Sequence, residues 1–201
     1  EIYAICSSFV TLGVEKIRLT GGEPLLRKNI ENLIKKIVSL KTLSNQPVEI
    51  ALTTNGTLLE RKSELLYKAG LRNVTVSLDS IDQNIFHNIS NTEVPVKNIL
   101  DGIDSAKKSG LKVKVNMVVK KGINENQILP MADYFKSKSI TLRFIEFMDV
   151  GSTNAWQPEK VVTSNSIKNL LNDNFGLDYV GREKANEVSE YWTYKNSKTK
   201  V

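Results

Sequence analysis

Four stretches of this chain alternate between apolar and polar residues, at 16–20, 49–54, 73–79 and 112–119, a fifth at 141–148 is mostly apolar around Arg143, and each reads as a strand. Between them apolar residues recur at helical spacing. Ile30, Leu33, Ile34, Ile37 and Val38 predict a helix over 29–43, and similar patterns predict helices over 62–69, 96–109 and 127–137. Glycines punctuate the series. Gly21-Gly22 ends the first strand, Asn55-Gly56 ends the second, and Gly70 and Gly110 fit the position just past a helix. At the opening, Ile2, Ile5, Phe9, Val10 and Leu12 fall near helical spacing, with Gly13 as the stop. Beyond Gly151 the pattern weakens to one helix over 166–175 and one strand of a hairpin over 191–194.

Strands alternating with helices predict an α/β fold of parallel strands joined by right-handed crossovers. The strand spacing suits the repeating unit of a (β/α) barrel. An open doubly wound sheet is the alternative. The chain divides into a core over 1–150 and the start of a C-terminal extension over 151–201. It opens inside a helix, without a methionine, and reads as a piece of a longer protein.

Alternation also sorts the two faces of each strand. Lys16, Arg18 and Thr20 share one face, as do Glu49, Ala51 and Thr53, then Thr75, Ser77 and Asp79, then Lys112, Lys114 and Asn116, with Arg143 in a similar place on the fifth strand. The opposite faces carry Ile17, Leu19, Ile50, Leu52, Val74, Val76, Val113 and Val115. Strands covered on both faces by apolar packing would be hydrophobic throughout. Here one face is polar, and if the sheet curls it lines a cavity holding Lys16, Arg18, Lys114 and Arg143. Buried cations need anions. Glu49 and Asp79 are too few, so a polyanion such as a nucleotide phosphate is the expected occupant. A sheet with one plainly solvated face is the competing reading, and the helices between successive strands argue against it.

Composition changes little in this picture. At 201 residues, 40% hydrophobic and 25% charged, the chain is neither disordered, collagenous nor a disulfide mini-protein. A net charge of +6 favours an anionic partner. The single cysteine, Cys6, can form no internal disulfide and by itself no iron–sulfur or other metal site. That scarcity fits a reducing, cytoplasmic compartment. No apolar run reaches the ~20 residues of a membrane helix, and no signal peptide is visible.

Candidate chemistry gathers at the carboxyl ends of the strands, where α/β folds bind ligands. In Thr20-Gly21-Gly22-Glu23-Pro24-Leu25 two glycines let a backbone edge approach a ligand, and Glu23 suits an ammonium group. Thr53-Thr54-Asn55-Gly56, Ser77-Leu78-Asp79-Ser80 and Met148-Asp149 stand at three other strand ends. Each has a plainer reading: a tight turn, a helix N-cap, a core methionine. His87, the only histidine, reads as surface or cap. No Ser-His-Asp or Cys-His set and no Walker-type phosphate loop is present.

Taken in order, Leu19-Thr20-Gly21-Gly22-Glu23-Pro24-Leu25, Leu52-Thr53-Thr54-Asn55-Gly56, Val76-Ser77-Leu78-Asp79, Lys112-Val113-Lys114-Val115-Asn116 and Arg143-Phe144-Ile145-Glu146-Phe147-Met148 resemble the radical S-adenosylmethionine (SAM) GTP 3',8-cyclase family of molybdenum cofactor biosynthesis. The match in order and spacing extends to Val161-Val162-Thr163. The Gly-Gly-Glu-Pro motif is shared by many radical SAM enzymes, whereas Arg-Phe-Ile-Glu-Phe-Met is more specific to the cyclase. The resemblance implies a partial, TIM-like (β/α)6 barrel, here five parallel strands with the first strand missing. It implies that a 5'-deoxyadenosyl radical, from reductive cleavage of SAM, takes the 3' hydrogen of GTP, after which the ribose carbon attacks C8 of guanine. By position, Arg18, Thr53 and Lys114 match GTP contacts, with Lys16 and Arg143 close by. Gly22, Ser77 and Met148 match SAM contacts, and Gly21 and Glu23 flank its ammonium group. The family holds two 4Fe-4S clusters, one on a Cys-x-x-x-Cys-x-x-Cys loop and one in a carboxyl-terminal region. Neither cysteine set occurs here, and Cys6 matches no cluster ligand. The reading is a central fragment of the enzyme, inactive alone, with GTP and SAM as partners, no membrane or nucleic acid, and a homodimer left open.

Two other functions compete. A peptide-modifying radical SAM enzyme would share Gly-Gly-Glu-Pro but need no cationic interior. A basic RNA-binding module would want exposed aromatics, for which Tyr191, Trp192 and Tyr194 beside Lys195 are the candidate cluster.

Overall fold

A computed structural model describes residues 1–150, 156–182 and 188–201. Five strands form one sheet in the order β1-β2-β3-β4-β5, made of β1 (Lys16–Leu19), β2 (Glu49–Thr54), β3 (Asn73–Ser77), β4 (Lys112–Val119) and β5 (Thr141–Glu146). β1 runs parallel to β2 and β2 parallel to β3, with Arg18 opposite Ala51 and Thr53 opposite Thr75. Strand order follows chain order, as expected of successive βαβ units of one hand. The parallel α/β reading therefore holds. The boundary expected after 150 adjoins residues 151–155, which lie outside the described residues.

The chain divides into two compact units. The first comprises Glu1–Ser77 and Val94–Lys114. It holds α1 (Ile2–Thr11), α2 (Ile30–Val38), α3 (Leu59–Lys68) and α5 (Val96–Lys108) beside β1, β2 and β3. Ile34 and Ile37 of α2, Leu66 of α3, and Ile99 and Ile103 of α5 are buried with Leu52, Val74 and Val76 of the sheet. Each such side chain contributes about 1.5–3 kcal/mol. α3 and α5 meet closely at Gly102, where a Cβ would stand 3.1 Å from the Gly56 carbonyl and 3.2 Å from Leu59 Cβ.

α1 matches the helix expected at the opening of the chain. Cys6 and Val10 face inward, whereas Ile5, Phe9 and Leu12 are exposed, Leu12 by 80%. Positions 6 and 10 share one helical face and 5, 9 and 12 another, so the apolar residues split between two stripes. α2 is shorter than expected and ends at Val38, because the chain folds back through a bridge between Lys41 and Pro47.

The second unit comprises Leu78–Glu93 and Val115–Val201. It holds α4 (Gln83–Ser90), most of β4, α6 (Ile128–Ser137), β5, α7 (Ser164–Phe175), β6 (Leu177–Gly181) and β7 (Tyr191–Tyr194). α4 was not expected from its polar sequence. Asp82 caps it, accepting the Asn84 and Ile85 amides at 2.9 and 3.0 Å. β6 pairs antiparallel with β7 and supplies the missing half of the predicted hairpin. Met131, Ala132 and Phe135 of α6 are buried with Val115, Met117 and Val119 of β4.

Candidate functional site

Arg18 lies on β1, at the end of the strand order, and its guanidinium reaches across the sheet. Nη1 donates to Thr53 Oγ1 of β2 at 3.0 Å and to Thr75 Oγ1 of β3 at 3.3 Å. Arginine needs no carboxylate to stay charged, and among the described residues Arg18 makes no ion pair. Two neutral hydroxyls therefore fix the cation without neutralising it. Thr75 is only 6% exposed. The alternation of β3 put it on this face, but it stood outside the candidate set. The rung that pairs it with Thr53 is the signal that would have found it.

Lys16 behaves differently. Its Nζ sits 2.7 Å from Glu49 Oε1, directly across the β1–β2 register, with both side chains about half exposed. Asn73 also donates to Glu49, at 2.9 Å. Lys16 is thus already paired with an anion. The expectation of four buried cations is corrected accordingly: Lys16 and Arg18 are exposed, and Lys114 and Arg143 are partly buried. An edge strand leaves its side chains accessible to water, which removes the desolvation cost on which that expectation rested.

The turn after β1 is built around Glu23. Oε1 accepts the Leu25 amide at 2.9 Å and the Thr54 hydroxyl at 2.7 Å, and Oε2 accepts the Asn55 amide at 2.7 Å. The carboxylate therefore ties the Gly-Gly-Glu-Pro turn to the end of β2. Gly21 adopts φ +140, and a Cβ at Gly21 or Gly22 would meet no atom within 4 Å. The peptide edge of this turn faces open space. Ser77, at the end of β3, is exposed, and Lys114 lies on β4.

The remaining candidates belong to the second unit. Met148 is 58% exposed just beyond β5, and Arg143 Nη2 donates to the Tyr191 hydroxyl. Asp79 Oδ1 accepts the Val118 amide at 2.8 Å, while the Asn124 side chain donates to the Asp79 and Val118 carbonyls at 2.8 and 2.9 Å. Burial pushes the Asp79 carboxyl up from its ordinary value, and the Val118 hydrogen bond offsets part of that rise. Asp79 opens on a cavity of about 580 Å³ with Asn88, Lys120 and Phe147 among its lining. The Lys120 ammonium stands 4.5 Å from the centre of the Phe147 ring. Tyr191 and Tyr194 are each 1% exposed, and Trp192 packs on Tyr179 with ring centres 4.7 Å apart. Two of the three proposed stacking rings are therefore core residues, which weakens the RNA-binding reading.

An iron–sulfur cluster needs several thiolates. Cys6 is buried in α1, and desolvation pushes its thiol up from the ordinary value, away from the thiolate form. Among the described residues no group of three His, Cys, Asp or Glu side chains could hold a metal ion. The residues of this chain do not fit a 4Fe-4S cluster.

The family model of the radical SAM superfamily matches residues 1–135. This chain belongs to the radical SAM superfamily. A curated relative from Staphylococcus epidermidis, named GTP 3',8-cyclase, is 45% identical over 98% of the chain, which spans 57% of that relative's length. Among solved structures, TYW1 with a lysine-pyruvate adduct superposes with a TM-score of 0.64 at 16% identity, over 89% of this chain and 62% of that one. Native anSMEcpe with bound AdoMet and Kp18Cys peptide gives 0.61 at 20% identity, over 78% of this chain and 45% of that one. These likenesses establish the fold, the partial TIM-like barrel of radical SAM enzymes. Among the described residues no helix is long and apolar enough to cross a membrane.

Proposed function

We propose that this chain is the substrate-holding core of a GTP 3',8-cyclase, the radical SAM enzyme that converts GTP to (8S)-3',8-cyclo-7,8-dihydroguanosine 5'-triphosphate in molybdenum cofactor biosynthesis. The observation that carries the reading is Arg18, a cation held by Thr53 and Thr75 and left without a carboxylate. The 45% identity to a curated relative of that name supports it. In this reading Arg18, Thr53 and Lys114 bind GTP, with Lys16 exchanging its Glu49 partner for phosphate. Gly21 and Gly22 offer SAM an unobstructed peptide edge, with Ser77 and Met148 as further contacts. Glu23 shapes that edge through its three hydrogen bonds and keeps one lone pair on Oε2 for the ammonium group.

SAM, when bound with a cluster, supplies the radical that starts the reaction. This chain has no ligands for the cluster, so its own residues hold and orient GTP, and the isolated polypeptide is silent in turnover. The test is GTP binding by calorimetry to the full-length protein carrying this chain. Each charge-assisted contact is worth roughly 1.5–3 kcal/mol, so Arg18→Ala or Lys114→Ala should weaken GTP binding about 10–150-fold and leave SAM binding intact. Unchanged GTP affinity in both variants overturns the assignment.

A further inference from the structure

We infer that Thr75 is a positioning residue for the anion site. Its hydroxyl, with that of Thr53, locks the Arg18 guanidinium so that one defined edge faces the ligand. This inference rests on the reading that Arg18 binds GTP and adds how the side chain is made ready to do so. The argument starts from the donor count. A guanidinium carries five N–H groups: two on each Nη and one on Nε. Arg18 Nη1 donates to Thr53 Oγ1 at 3.0 Å and to Thr75 Oγ1 at 3.3 Å, which uses both of its protons. The fork made by Nη1 with Nη2 is thereby closed to a bidentate acceptor. The fork made by Nε with Nη2 stays open, because neither atom makes a hydrogen bond among the described residues. A phosphate is met bidentately along that edge and in one orientation.

The setting makes the lock meaningful. Arg18 is exposed on an edge strand, where a free arginine samples many rotamers and loses that freedom on binding. The two acceptors come from interior strands, and Thr75 is 94% buried, with its register partner Thr53 beside it. A rigid hydroxyl pair therefore holds a mobile cation, and the ordering cost is met before the ligand arrives. A hydroxyl accepts from the guanidinium without cancelling its charge. A carboxylate in the same place, as Glu49 is to Lys16, would compete with the phosphate.

The experiment is a double-mutant cycle on the full-length protein, read as the Kd of GTP and checked by thermal melting. Thr75→Val removes the hydroxyl with little change of shape, and Thr75→Ser restores it. Expected results are a ~2–12-fold weaker GTP affinity for Thr75→Val, the size of one ordinary hydrogen bond, and near-parental affinity for Thr75→Ser. In an Arg18→Ala background Thr75→Val should have no further effect, because its influence runs through the absent guanidinium. An equal loss with and without Arg18 would mean a merely structural role and overturns the inference. Parental affinity in Thr75→Val, with Arg18→Ala still impaired, also overturns it while leaving the GTP reading in place. Parental affinity in Arg18→Ala overturns both.

Discussion

Glu23 and Asn55 are joined by a carboxylate-to-amide hydrogen bond of 2.7 Å, between the turn that follows β1 and the residue that follows β2. With the Thr54 hydroxyl and the Leu25 amide on the other oxygen, one side chain serves three donors. Glu23→Gln would aim an amide N–H at a group that itself donates. The expected cost is about 1.5–3 kcal/mol, the worth of one hydrogen bond to a charged group. Urea denaturation of the variant measures it. A stability equal to the parent would show that the turn holds without this carboxylate.

Glycine 56 can be tested against Gly122. Both have positive φ, +81 and +76. A Cβ at Gly56 would meet Ile99 Cγ2 at 2.9 Å and Val76 Cγ1 at 3.0 Å, whereas one at Gly122 meets nothing within 4 Å. Gly122→Ala should therefore show only the backbone penalty of about 1 kcal/mol. Gly56→Ala should add an overpacking cost of about 1–3 kcal/mol. Denaturation midpoints that fall equally in the two variants would contradict the packing account.

Asp79 sets a pH dependence. Burial raises its folded-state pKa above the unfolded value, so the folded chain holds this proton more tightly. Its contribution to stability is full below the ordinary carboxylate pKa of about 3.9 and is lost as pH rises through the raised folded value. Asp79→Asn keeps an oxygen for the Val118 amide and removes the ionisation. The variant should therefore gain on the parent as pH climbs from about 4 towards neutrality. Glu146, whose carboxyl is lowered by the Ser164 amide, gives the opposite slope in both proteins and cancels in the comparison. The check is the difference in urea midpoint across that range; a flat difference would remove the role given to burial.

Self-association is expected of this chain. Among the described residues β1 pairs only with β2, and an edge of free N–H and C=O groups can template another strand. The exposed Ile5 and Phe9 of α1, and Leu12 just past its end, add apolar surface in the same unit. Sedimentation velocity over a dilution series should show concentration-dependent species, reduced by the pair Phe9→Lys with Leu12→Lys. A monomer at every concentration would sink the idea.

The alternation of polar and apolar residues was enough to place four strands of the main sheet and the sharing of a face by Arg18, Thr53 and Thr75, and a mostly apolar run placed the fifth. It could not show that Lys16 is claimed by Glu49, because pairing depends on register, and register is set by contacts distant in sequence. It also could not show that Glu23 is bound by Thr54 and Asn55, which lie far along the chain. The cap at Asp82 was readable, yet α4 was missed because its apolar residues are few. The opening helix was legible as α1, but two apolar stripes on one short helix give no single inward face, and the burial of Cys6 and Val10 settles which one packs.

The placement of Arg18 on an edge strand, with its acceptors on interior ones, joins ligand occupancy to local opening. Edge strands exchange their amide protons through small fluctuations, while central strands wait for larger ones. For β1 to lift away, Arg18 must let go of Thr53 and Thr75, so whatever binds the guanidinium in its docked position must be released first. Occupancy is then written into the exchange rates of Lys16 to Leu19. Each tenfold excess of ligand over its dissociation constant slows them about tenfold, until opening of the whole unit becomes the easier route.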